Sequence, residues 1–292
     1  MSPAERAFWI RANRRASTLS PELARALLRA FAILRESLSD DELSQLITSG
    51  QLDGILTNVL DEATMAQAFI PVRARIRDQV DRNFTYFARD LPGAGKINGT
   101  VAVAFDVLNP RIIDGIRQLD TKVIQTLQPD IRETVRAFVE NGLRDGIAPR
   151  SIARQIRDVI GMSPTQLRNA ETFEAKLRDA GTPEDRIAKQ VAAYRKRAIS
   201  LNAETNARTA ALDAMKLGQR LSWEQAADAG IVDRDRLTKT WRGVLDLRER
   251  LTHVAMEGQT VPFDALFSNG QMIPGDTEYS CRCIPIYRHS AA

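Results

Sequence analysis

Cysteine and histidine are scarce, with two of each in 292 residues. Two thiols cannot build the disulfide framework of a small secreted domain. They suit a reducing compartment, where cysteine serves as core filler, nucleophile or metal ligand. Aromatic residues make up 6% of the chain, too few for the stacking platforms that read single-stranded nucleic acid. No apolar run approaches the roughly 18 residues needed to cross a bilayer. The opening MSPAERAFWIRANRR carries charge where a secretory signal needs an apolar block. The expectation is therefore a protein made and kept in the cytoplasm, with no membrane step. An excess of one charge sign is also lacking: 41 Lys and Arg face 37 Asp and Glu, for a net charge of +4. Charge alone is thus poor support for a plain DNA-binding protein.

What the chain has is Ala, Leu and Arg, the residues that lose least entropy on entering a helix. A hydrophobic fraction of 43% with 27% charge is ordinary for a globular chain, and the length allows one large or two smaller domains. Seven of the basic residues are Lys and the rest Arg, whose planar fork suits phosphate and protein interfaces alike.

Read in order, residues 1–91 are helical. Ser20-Pro21-Glu22 has the form of a helix start, Asp40 can cap a short helix that stops at Gly50, and a long helix over Asp53–Arg89 should be kinked or divided by Pro71. The loop LPGAGKING at 91–99 is the clearest break. Its GAGK falls short of a phosphate-binding loop, because Ile97 follows Lys96 where Ser or Thr is needed. Pro129 to Gly142, Pro149 to Gly161 and Pro164 to Gly181 each open on proline and close on glycine, and Pro183 starts a helix running to Gly218. The last 75 residues differ. Leu221–Trp223, Thr238–Val244 and Cys281–Tyr287 have strand-like patterns, and turn residues punctuate Gly258 to Asp276. The reading is a mainly α protein: an extended helical N-terminal body with a small C-terminal α+β module, in regions 1–98, 99–218 and 219–292.

His253, Cys281, Cys283 and His289, all the histidines and cysteines of the chain, fall in its last 40 residues. On a strand, Cys281 and Cys283 point to one face, so both thiolates could reach one ion. A zinc ion would take Cys281, Cys283 and His253, with His289 or water completing four ligands. Two reduced cysteines packed as small apolar side chains would also account for the pattern. Asp246 is excluded as a ligand if its segment is helical, since about 10 Å along the axis would separate it from His253. Asp246 with Glu249 instead fits an N-terminal capping box. Arg11, Arg14 and Arg15, Arg73, Arg75 and Arg77, and Arg195, Lys196 and Arg197 form basic clusters, readable as solvated helix faces or as sequence-independent phosphate contacts.

The C-terminal order is AETNARTAALDAM from Ala203, then Trp241, Asp246-x-Arg248, His253, Gly258, Phe267, Pro274-Gly275 and Cys281-Arg282-Cys283. It resembles the phage head morphogenesis family, the Mu F-like minor head proteins, over roughly residues 185–288. The family's Thr-Glu pair reads Ala203-Glu204 or Thr209-Ala210 here, and its Leu-Asp-Gly reads Met256-Glu257-Gly258. The resemblance implies a minor capsid protein without catalytic activity, which joins the procapsid through portal, scaffold or major capsid protein. It would be assembled in the host cytoplasm and held inside the head of the virion, with possible non-specific contact with viral DNA. The competing reading is a metal-dependent hydrolase or nuclease built on His253, Cys281 and Cys283.

Overall fold

The protein is described here from a computed structural model covering residues 1–92, 96–97, 100–101, 103–279 and 281–290. It is mainly α, with a small C-terminal α+β module. The helices are α1 (Pro3–Glu36), α2 (Asp40–Thr48), a single turn α3 (Leu52–Gly54), α4 (Glu62–Ala68), α5 (Ile70–Phe87), α6 (Pro110–Arg144), α7 (Pro149–Ile156), α8 (Pro164–Asp179), α9 (Glu184–Asp228) and the one-turn α10 (Leu251–Val254). Strands β1 (Lys96–Ile97) and β2 (Thr100–Val101) pair antiparallel. The rest of the LPGAGKING loop after Pro92, and Ala102 of the apolar stretch that follows it, lie outside the described residues.

Several helix boundaries differ from the sequence reading. Ser20-Pro21 does not open a helix but lies inside α1. Pro21 has no N–H for the carbonyl of Ser17, and the Ser20 hydroxyl donates to that carbonyl instead, at 3.1 Å, so the helix loses no satisfied group there. Pro129 is likewise interior to α6. Leu127, Ile131 and Val135 are all buried on either side of it, and this packing outweighs one missing bond. Gly218 does not stop α9, which runs on through the expected strand Leu221–Trp223. A Cβ at Gly218 would lie 2.7 Å from the Val80 carbonyl oxygen, so glycine is there for close helix packing. Ser39, one residue before the expected Asp40, caps α2. Pro71, as expected, divides rather than extends: α4 ends before it and α5 begins at Ile70.

The chain forms two compact units, each discontinuous in sequence. The unit of residues 24–74 and 121–206 is built from helices and the turns that join them, with no strand among its described residues. Arg35 donates to the Ile160 carbonyl at 2.8 Å and Thr134 to that of Met162 at 3.1 Å. Ser163 and Gln166 form a full capping box on α8. The unit of residues 1–23, 75–120 and 207–292 joins helical segments to the sheet β4-β3-β5, where β3 is Leu237–Arg242, β4 Thr260–Pro262 and β5 Ile284–His289. Both neighbours of β3 are antiparallel to it, with Thr240 opposite Thr260 and Trp241 opposite Pro285. Leu237, Lys239 and Trp241 alternate onto the fully buried face of β3. Lys239 is tolerated there because its ammonium donates to the Met272 carbonyl at 2.8 Å and sits over the Phe267 ring. Burial, with Arg220 nearby, still pulls its pKa down to about 8. Within the same unit Glu5 of α1 accepts from Arg242 at 2.9 Å and from Arg288.

Candidate metal centre

Pairing of β3 with β5 ends with Arg242 opposite Ile284. That register carries Cys283, the residue before β5, alongside the chain leaving β3 at Gly243. Cys281–Cys283 themselves precede the strand, so the expected strand start at Cys281 moves to Ile284. The chain after Gly243 makes a tight turn, with Leu245 at a left-handed φ of 56°, and then enters α10, which delivers His253. Trp241, Met256, Phe267, Cys281 and Cys283 form one buried cluster, and the His253 ring meets Trp241 edge-on at 5.4 Å.

His253, Cys281 and Cys283 are all buried, and their ligand atoms lie within 4.8 Å of one another. His253 Nδ1 is 3.6 Å from Cys281 Sγ and 3.5 Å from Cys283 Sγ. A tetrahedral ion with metal–sulfur bonds of ~2.3 Å and metal–nitrogen bonds of ~2.0–2.1 Å places sulfur and nitrogen about 3.6 Å apart. The three side chains could therefore hold a metal with little rearrangement. Nε2 of His253 lies 2.7 Å from Glu278 Oε2. An ionised carboxylate only accepts, so this bond assigns the proton to Nε2 and turns the Nδ1 lone pair toward the sulfurs, as in carboxylate–histidine–metal arrangements. Glu278 is itself held by Gln271 at 3.0 Å and Arg250 at 3.2 Å.

The electrostatics favour a thiolate. Cys281 is held down to about 6, first by the hydrogen bond from the Cys283 thiol, which outweighs the opposing effect of burial, and then by the Lys216 ammonium and His253. Cys283 is pushed up, first by its bond to Cys281 and then by burial and the Glu249 carboxylate. Lys216, fully buried, donates to the carbonyl oxygens of Pro274 at 2.8 Å and Cys281 at 3.4 Å and pairs with Asp213 at 3.2 Å. Gly275 has φ +81°, and a Cβ there would lie 2.5 Å from Cys281 Cβ and 3.0 Å from its sulfur.

Other residues singled out in the sequence fall elsewhere. His289 sits at the far end of β5, opposite Leu237, and accepts from the Asp233 N–H at 3.2 Å; it is remote from the cluster by register and completes no ligand set. Asp246 clamps Arg282, the residue between the cysteines, through two bonds of 2.6 and 2.8 Å. The capping box does not form, because residues 244–250 are not helical. Asp246 accepts from the Arg248 N–H, an Asx turn, and Glu249 swings toward Cys283. Among the basic clusters, Arg11 pairs with Asp90, Arg15 lies 4.1 Å from the Tyr86 ring centre, Arg75 pairs with Glu22 and Asp78, and Arg195 is mostly buried near Phe138. Glu249, Glu278, Gln271 and Lys216 were invisible as site residues in the sequence. Each joins the cluster through long-range packing that no spacing rule encodes.

A cavity of about 170 Å³ opens over the cluster, lined by Arg248, Glu249, Arg250 and Arg282 besides the three candidate ligands. No protein-family model, curated protein or solved structure matches the chain.

Proposed function

We propose that this chain is a minor head protein of a tailed bacteriophage, with no catalytic role, whose C-terminal module is organised by a structural zinc ion on Cys281, Cys283 and His253. One observation carries the reading. The ordered signature that resembles the head morphogenesis family begins at Ala203, and the part of it over residues 241–283, though spread along the chain, has members that depend on one another in space. Trp241, Phe267 and the cysteines pack together, Asp246 fixes Arg282, and Pro274-Gly275 abuts Lys216 and Cys281. Residues in that order build one packed unit, and this supports the resemblance. Two thiolates and an imidazole suit zinc over hard cations.

In this reading the protein joins the procapsid through portal, scaffold or major capsid protein, stays inside the head, and touches viral DNA only through phosphates. Co-purification with portal and scaffold, and mass spectrometry of virions, test it. Absence from both procapsids and virions removes it. The hydrolase alternative rests on the cavity over the cluster. At about 170 Å³ that cavity is below the ~300 Å³ of ordinary ligand pockets. Two of its arginines are already committed, Arg282 to Asp246 and Arg250 to Glu278 and the Tyr279 carbonyl. Metal analysis bears on the centre itself: about one zinc per chain, lost in Cys283→Ser, is the expected result.

A further inference from the structure

We propose that Glu249 is the fourth ligand, so that the ion is enclosed by Cys281, Cys283, His253 and Glu249 with no position left for water or substrate. This rests on the metal-centre reading and takes it from a three-residue cluster to a closed site. Glu249 Oε1 accepts from the Cys283 thiol at 3.2 Å, a few tenths of an ångström inside the roughly 3.5 Å that separates sulfur and oxygen on one tetrahedral ion, so loss of that proton would leave the carboxylate oxygen beside the metal position. Its other oxygen accepts from the Leu245 N–H. The carboxylate is therefore aimed, one oxygen fixed by backbone and one turned to the Cys283 sulfur, as a ligand with its outer-shell partner.

The local backbone is arranged to admit it. A Cβ on Gly243 would fall 1.9 Å from Glu249 Oε1 and 2.7 Å from its carboxyl carbon, so only glycine leaves room for the side chain here. Leu245 takes a left-handed φ, a conformation costly for a residue with a γ-branched side chain, and this orients its N–H at the carboxylate. The hydrogen-bonded ion pairs of the neighbouring arginines go to other acids, Arg282 to Asp246 and Arg250 to Glu278. A catalytic zinc keeps an open position, whereas a structural zinc is closed by four protein ligands. Glu249 is thus the residue that decides between the two uses of this centre.

The test uses the full chain loaded with Co²⁺ in place of zinc. Thiolate-to-cobalt charge-transfer absorption reports the sulfurs, and the d–d bands report whether an added anion, azide, can enter. In the wild type azide should leave the d–d spectrum unchanged, while in Glu249→Ala it should shift it and zinc affinity should fall by about tenfold or more. Glu249→Cys should raise the charge-transfer absorption by the increment of one further thiolate. A wild-type cobalt spectrum with thiolate bands that responds to azide, or a Glu249→Cys spectrum identical to wild type, overturns the proposal and leaves the metal centre standing. Failure of the wild type to take up zinc or cobalt overturns both.

Discussion

Gly275 and Gly270 offer a paired experiment on what the close packing beside Cys281 is worth. Both have left-handed backbones, with φ of +81° and +79°. They differ in surroundings. A Cβ on Gly270 meets nothing within 4 Å, whereas one on Gly275 would press on the Cβ and sulfur of Cys281 and lie 3.2 Å from Lys216 Nζ. Forcing alanine into the left-handed region costs roughly 1–2 kcal/mol, and overfilling a packed site adds about 1–3 kcal/mol. Gly270→Ala should therefore destabilise the module by about 1 kcal/mol and Gly275→Ala by about 3 kcal/mol, the gap measuring the clash alone. Urea unfolding followed by tryptophan fluorescence suits the purpose, because Trp241 is fully buried in the cluster. Gly275→Ala should also weaken zinc uptake, since relief of the clash must move Cys281. Unfolding free energies for the two variants within about 0.5 kcal/mol of each other, at equal m-values, would refute the argument that Gly275 is required by the thiol.

Lys216→Met should cost about 3 kcal/mol, because it leaves the Pro274 carbonyl without its ammonium donor and Asp213 without that cation in a buried setting; thermal unfolding reads this. Glu5 should make the unit pH-sensitive. Burial opposes its ionisation, but the Ser2 N–H, Arg242 and Arg288 together hold its carboxyl down to about 2 from an ordinary 4.5. A depressed carboxylate contributes stability above its unfolded value and loses it as pH falls through the window from about 4.5 to 2. The contribution is of order 3 kcal/mol. Glu5→Gln should be less stable than wild type at pH 7 and should flatten that acid limb, and an unchanged limb would contradict the assignment. Any DNA binding should weaken linearly with the logarithm of salt concentration and show no preference among sequences; retention at high salt with sequence discrimination would count against the head-protein reading.

The helical character was legible because Ala, Leu and Arg leave few alternatives, and the C-terminal change of texture because turn residues and alternation replace long periodic runs. Helix ends were less so. Pro21 reads as a helix start and Gly218 as a helix stop, and both were overridden, one by a neighbouring serine hydroxyl and the other by a packing partner more than a hundred residues away. The same physics governed the site. His253, Cys281 and Cys283 stood out because their side chains are rare and clustered. Glu249 looked like half of a helix cap, a role that depends on a helix its segment does not form. What redirects it is the space left by Gly243 and the unusual φ of Leu245, neither of which has a spacing signature.

The clasp between Glu5 and Arg288 spans 283 positions of sequence, and it sets a timetable. A ribosome adding roughly 5–20 residues per second exposes the first helical turn about a quarter of a minute to a minute before the strand that receives it. Residues 24–74 and 121–206 have all emerged earlier, so the contacts within their unit can form first. The other unit waits, with its opening segment held back until β3 and β5 emerge. A chain cut short before Ile284 lacks β5 and with it Arg288, one of the two arginines that clasp Glu5, leaves β3 unpaired on that side, and should stay protease-sensitive. The clasp on Glu5 and the pairing of β3 with β5 thus become available together, late in synthesis.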